Sequence, residues 1–185
     1  RGKEAIIGEA GYPYENYQVI TDDGYILTLE RLSRPESNRA VYFQHGVFDT
    51  SYAWIAKGPT GSIAMRAYDQ GYDVFLGNFR GAADQGHIHE KISPRDYWAY
   101  TINHHGMSHA LAQSDLTRSN VDIRVFDTAF RDMAAFVQKI REVKNKEQEQ
   151  RVSLGGPAEF TISAVSHSVR QQCWLRRSAL LMPVY

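Results

Sequence analysis

The chain has 185 residues, and its 21 Lys+Arg balance its 21 Asp+Glu, so the formal net charge is zero. That balance argues against a nucleic-acid partner, because a nucleic-acid binder needs a basic excess to neutralise phosphates. At 43% hydrophobic and 12% aromatic residues the chain is too apolar to be disordered and long enough for one domain with a sizeable core, and its single cysteine, Cys173, excludes an internal disulfide framework and a cysteine-based zinc site.

The mean hydropathy is -0.45, and no apolar run approaches the roughly 18 residues that span a bilayer. The chain opens on Arg1 rather than Met, with no charged-then-apolar leader. The expectation is a gene product that begins upstream, with any targeting signal there, so the compartment stays open.

Residues 3–10 read as a short helical lead-in. Asn16–Thr21 and Tyr25–Leu32 alternate apolar and polar side chains across Asp22-Asp23-Gly24. This predicts a β-hairpin, since Gly tolerates the positive φ that such a turn requires. Ser33–Arg39 is a polar loop. Ala40–Gln44 predicts a strand halted at His45-Gly46. Ile63, Ala64, Ala67 and Tyr68 share a helical face, with Gly71 as the stop. Tyr72–Leu76 predicts a strand, followed by Gly77-Asn78-Phe79-Arg80-Gly81. Residues 82–125 lack periodicity and read as irregular. Phe126, Phe130, Met133, Val137 and Ile140 are spaced for one face of a helix that Asp127 would cap, and Lys144–Arg151 reads as its solvated tail. Glu159–Val165 predicts a last strand. Strands alternating with helices predict an α/β fold, with a mostly parallel sheet covered on both faces.

In such a sheet, sites form at the carboxyl ends of the strands. Three ends stand out: Gln44-His45-Gly46-Val47-Phe48, Gly77–Gly81, and Ser166-His167-Ser168. A serine on a tight strand-to-helix turn exposes its hydroxyl above the sheet, and needs small residues two before and two after it. Ser166 is small, but Arg170 is not, so on its own Ser168 reads first as an ordinary strand-end serine. His105 and His109 have a metal-compatible i, i+4 spacing. Gly106 interrupts it, and solvated histidines are the simpler reading of His104, His105 and His109, as of His87 and His89.

Together the motifs are more specific. Gly11-Tyr12-Pro13, Glu15-Asn16-Tyr17, Thr21–Leu27, Arg31, Gln44–Phe48, Trp54, Gly71–Gly81 and Tyr97–Thr101 resemble, in order, the N-terminal part of the acid lipase family of gastric and lysosomal lipases and steryl ester hydrolases. The resemblance covers residues 4–103 well and 127–168 more loosely. It implies the N-terminal part of an α/β-hydrolase fold, a neutral lipid ester as substrate, and no metal or organic cofactor. It implies Ser168 as nucleophile, and the backbone N–H groups of Val47 and Val169 as the oxyanion hole. His45, Gly46 and His167 support them, Gly46 by letting the backbone approach the substrate. Asn78, Arg80 and Gly81 match a segment read as structural.

Two departures qualify the resemblance. The family's order is Ser, then Asp, then His, yet Val169–Tyr185 contains no Asp, Glu or His. One codon spelling of Arg170–Leu175, read one frame off, gives Ala-Ala-Met-Leu-Ala, the small-residue helix the family places there. Residues 1–168 are therefore expected to be a partial hydrolase domain, and 169–185 an atypical tail from a shifted frame. Met107–Val125 matches nothing and reads as an insertion. Arg176-Arg177 beside Leu180-Leu181-Met182 would suit peripheral contact with a lipid surface. The alternative function is a catalytically incompetent lipase-like fragment or isoform with a binding or vestigial role.

Overall fold

A computed structural model describes residues 2–46, 49–82, 85–98, 124–154 and 159–166. The element order is α1 (Lys3–Glu9), β1 (Tyr14–Ile20), β2 (Tyr25–Leu32), β3 (Arg39–Gln44), a 3-10 turn (Ser51–Trp54), α2 (Gly58–Gly61), α3 (Ile63–Asp69), β4 (Asp73–Asn78), β5 (Gly86–His87), α4 (Pro94–Tyr97), α5 (Arg124–Val152) and β6 (Thr161–Ser166). The sheet order is β1-β2-β4-β3-β6, with β5 on β2. β4, β3 and β6 run parallel, while the β1–β2 hairpin joins β4 antiparallel. The expected α/β fold is therefore present.

The expected hairpin forms around Gly24, whose φ of 90° only glycine adopts readily. Thr21 Oγ1 accepts from the Tyr25 amide at 2.9 Å and closes the turn. β3 shows why both sheet faces must be covered. Ala40 and Tyr42 pack into a core with Val19, Leu27, Leu29, Phe75 and the α5 residues Met133, Phe136 and Ile140. Val41 and Phe43 point the other way, into a core with Ile7, Val74, Leu76, Trp54, Ala64 and Met65. Burying each large apolar side chain contributes about 1.5–3 kcal/mol. α5 thus covers one face, and α1, the 3-10 turn and α3 cover the other.

Several sequence expectations need correction. α5 starts at Arg124, ahead of Asp127, so Asp127 lies within it. Met133 and Ile140 are buried as expected, but Phe136 rather than Val137 is the residue buried between them, while the side chains of Phe126 and Phe130 lie outside the described residues. In α3, Met65 is buried and Ile63 is 55% exposed, because the helix presents Ala64 and Met65 to the sheet. The irregular stretch contains β5 and α4. Most important, the far end of α5 is not uniformly solvated. Lys144 is 2% exposed, and its Nζ lies 2.8 Å from Asp73 Oδ2 and 2.8 Å from Glu147 Oε2. Asp73 also takes a fork from Arg31, with Nε at 2.8 Å and Nη2 at 2.7 Å. A buried cation is tolerated there because carboxylates meet it in pairs.

β4 carries Gly77 where β3 approaches. A Cβ built on Gly77 would lie 2.5 Å from Tyr42 Oη and 2.8 Å from Gln44 Oε1. Gly77→Ala is expected to destabilise the fold by about 1–3 kcal/mol through overpacking. A lower urea midpoint with an unchanged slope would show this; an unchanged midpoint would contradict it.

Candidate active site

The three parallel strands end level with one another. Gln44 of β3 is opposite Gly77 of β4 and Ser166 of β6. Adjacent strands lie about 4.8 Å apart. The residues that follow, His45-Gly46 on one strand and Asn78-Phe79-Arg80 on its neighbour, therefore share one edge of the sheet, and the chain leaves β6 on that same edge. Of the site residues expected from the sequence, His45 and Gly46 are described. Val47, His167, Ser168 and Val169 lie outside the described residues, as do His104, His105 and His109.

His45 is 2% exposed. Its Nε2 accepts from the Phe79 amide at 3.1 Å, and its Nδ1 lies 2.7 Å from the Gly46 carbonyl oxygen. These partners assign the tautomer. Nε2 holds the lone pair, and Nδ1 carries the proton donated to Gly46. The Phe79 ring packs edge-on against the imidazole at 5.3 Å between centroids. With both ring nitrogens engaged and the ring out of solvent, His45 shapes its loop and has no free nitrogen to take a proton from a nucleophile.

The loop that starts at His45 ends at the 3-10 turn. There the Ser51 amide donates to Asn78 Oδ1 at 3.0 Å. Asn78 Nδ2 donates to Glu30 Oε2 at 3.1 Å. Glu30, 2% exposed, also receives the Ser51 hydroxyl, Lys3 Nζ at 3.0 Å and the Tyr14 hydroxyl at 2.9 Å. The buried carboxylate is thus surrounded by donors, which is what its desolvation demands. Burial beside Glu30 pushes the Tyr14 phenol well above its ordinary value.

Arg80 is the third organiser at this edge. Its Nη1 meets Asp23 Oδ2 at 2.6 Å in the hairpin turn. Its Nη2 meets Asp132 Oδ1 of α5 at 2.6 Å, with Nε at 3.0 Å from the same oxygen. The Arg80 amide donates to Asp132 Oδ2 at 3.0 Å, and the guanidinium lies 4.0 Å from the centroid of the Tyr25 ring. Asn78 and Arg80 therefore have the structural role their segment suggested. Burial works against both carboxylates. In Asp23 it is outweighed by the hydrogen bonds from Arg80 and Thr21 and by the nearby guanidinium charges, so the carboxyl sits below its ordinary 3.8. In Asp132 burial wins despite Arg80, and the carboxyl is raised.

Nearby, His87 Nε2 lies 3.2 Å from the Asp23 carbonyl oxygen, and its ring stacks on His89 at 5.2 Å. Among the described residues, no group of three His, Cys, Asp or Glu is placed to hold a metal ion, and no helix is long and apolar enough to cross a membrane. Sequence reasoning missed Glu30, Ser51 and Asp132. The available signals were an acidic residue inside the alternating run of β2 and another inside the apolar stripe of α5.

Asp23 makes the clamp acid-sensitive. A carboxyl whose folded value is depressed stabilises the fold above its unfolded value and loses that contribution as pH falls through the folded one. The Asp23 contribution should therefore be complete above about pH 5 and fade below about pH 4. Asp23→Asn is expected to lower stability at pH 7 and to flatten the loss between pH 5 and 3, read from urea unfolding at each pH. Parallel curves for the variant and the parent would contradict this assignment.

The comparisons with known proteins agree with this frame. A family profile described as a partial alpha/beta-hydrolase lipase region matches residues 4–58. Lipase member K of Homo sapiens is 42% identical over 107 residues, covering 53% of this chain and 27% of that protein. Lipase member J of Homo sapiens is 35% identical over 132 residues, covering 66% and 34%. Gastric triacylglycerol lipase of Rattus norvegicus is 36% identical over 101 residues, covering 50% and 26%. The chain thus spans about a quarter to a third of the length of these relatives.

Proposed function

The chain belongs to the acid lipase family, as its N-terminal part, and on that premise we propose that it serves a serine ester hydrolase acting on neutral lipid esters, triacylglycerol or steryl ester. The observation that carries the reading is the shared strand edge: β3 ends in Gln44-His45-Gly46 level with the end of β6, which leads into His167-Ser168. In this reading residues 1–168 are a partial α/β-hydrolase domain, Met107–Val125 is an insertion, and 169–185 is an atypical tail.

Ser168 is the nucleophile. Its Oγ attacks the ester carbonyl while a base takes the hydroxyl proton, and the alcohol leaves as the acyl-enzyme forms. The N–H groups of Val47 and Val169 receive the negative charge that develops on the carbonyl oxygen. The structure supports the first of these donors through its peptide partner. His45 holds the Gly46 carbonyl, which fixes the residue that precedes Val47. Gly46 adds the close approach of a residue without Cβ. His167 borders the nucleophile in sequence, and in this reading it is not the base. Arg176-Arg177 beside Leu180-Leu181-Met182 would touch the lipid surface peripherally.

A second reading rests on one observation: Val169–Tyr185 contains no Asp, Glu or His to complete a triad. The 185-residue chain alone would then be a lipase-like fragment that binds lipid ester without turning it over.

A fluorophosphonate probe separates the readings. The 185-residue chain alone is expected not to label appreciably. A product of the same gene that supplies a histidine after Ser168 is expected to label, to hydrolyse a triacylglycerol emulsion, and to lose both in Ser168→Ala. Loss of one oxyanion donor should slow such an enzyme about 100- to 1000-fold. Labelling that survives Ser168→Ala would defeat the assignment of the nucleophile, and strong labelling of the 185-residue chain would defeat the fragment reading.

A further inference from the structure

The loop that starts at His45 is fastened at both ends to two consecutive residues of one neighbouring strand. At its start, His45 Nε2 accepts from the Phe79 amide at 3.1 Å. At its finish, the Ser51 amide donates to Asn78 Oδ1 at 3.0 Å. The first fastening uses main chain, which every residue supplies. The second uses a side chain, and only an acceptor of that length at position 78 provides it.

Asn78 is itself held. Its Nδ2 donates to Glu30 Oε2 at 3.1 Å and faces the Thr28 carbonyl oxygen at 3.4 Å. These bonds settle which end of the amide is oxygen. Glu30 also receives the Ser51 hydroxyl and Lys3 Nζ. Asn78 and Ser51 are buried, so an unmade bond there is not replaced by bulk water.

We propose that Asn78 is a positioning residue for the oxyanion side of the site: its amide, oriented by Glu30, fixes where the His45 loop ends and so how the Gly46 carbonyl at its start is presented. The proposal deepens the serine hydrolase reading and rests on it for its catalytic consequence. Asn78 acts through the loop and touches no reacting atom.

The test reads backbone hydrogen exchange in the 185-residue chain for the parent, Asn78→Ala, Asn78→Asp and Lys144→Met. Asn78→Ala removes the acceptor, and the Ser51 amide should exchange at least about tenfold faster, with the amides of β3 and β4 keeping their protection. Asn78→Asp keeps an oxygen for Ser51 and should retain most of that protection, although it buries a second carboxylate beside Glu30. A residue that merely fills space would give the reverse order. Lys144→Met disturbs the opposite edge of the sheet and should leave the Ser51 amide as protected, relative to the ladder, as in the parent. Equal Ser51 exchange in Asn78→Ala and the parent, or equal effects of Asn78→Ala and Lys144→Met, would overturn the proposal.

The catalytic arm uses a gene product that labels at Ser168. There Asn78→Ala should lower kcat at least about tenfold with KM little changed, and Asn78→Asp should recover part of it. A raised KM at unchanged kcat would also overturn the proposal. If the exchange pattern is found but no product labels at Ser168, the serine hydrolase reading fails, and the role of Asn78 in placing the loop stands on the exchange data.

Discussion

One buried guanidinium joins parts of the chain that local forces would leave apart. Arg80 reaches back 57 residues to Asp23 in the hairpin turn and forward 52 residues to Asp132 in α5. The end of β4 is thus tied to the start of the sheet and to the helix that covers it. A charge in that position is costly unless each of its donors is met. Here two carboxylates and an aromatic face meet it. The adjacent residues extend the same logic, since Phe79 receives His45 and Asn78 receives Ser51. The site edge is therefore organised by three consecutive residues that need not take part in the chemistry.

A second polar network lies at the opposite end of β4. Asp73, the first residue of that strand, gathers Arg31 and Lys144, and Glu147 completes the group. α5 is consequently fastened near both ends, by Asp132 at one and by Lys144 and Glu147 at the other, with the apolar contacts of Met133, Phe136 and Ile140 between them. Apolar burial supplies most of the driving force but is weakly directional. The ion pairs have strict geometry and favour one rotation of the helix on the sheet.

The residues differ in how much of this they disclosed. The hairpin was legible because Asp-Gly between alternating runs has few other solutions. The strand and helix order was legible because apolar runs and a 3.6-residue period mark buried surfaces. The covering role of α5 was legible too, but not its charged end. Lys144 lies in a run that looks solvated, and its partner is 71 residues away. Phe136 and Val137 are equally apolar, so only the helix rotation decides between them. His45-Gly46 stood out as a strand end, yet the contact that defines His45 is with a backbone amide, which no side-chain pattern reveals. Glu30 was hidden for a related reason. An acidic residue in an alternating strand is ordinarily read as facing water, and the four donors around it come from four separate segments.

The placement of β6 bears on how the molecule is assembled. β3 is flanked by β4, which follows it after a short helical crossover, and by β6, whose Thr161 pairs with Arg39 across more than a hundred intervening residues. Closing so long a loop costs entropy before any ladder bond repays it. The hairpin, β3 and β4 can therefore associate early, while one side of β3 waits for its partner. That waiting side runs up to Gln44, which pairs with Ser166 beside the end where His45 and Gly46 leave the strand. The side of β3 that β6 covers is the slowest to be enclosed, and during synthesis it is the surface with most need of protection from pairing with another chain.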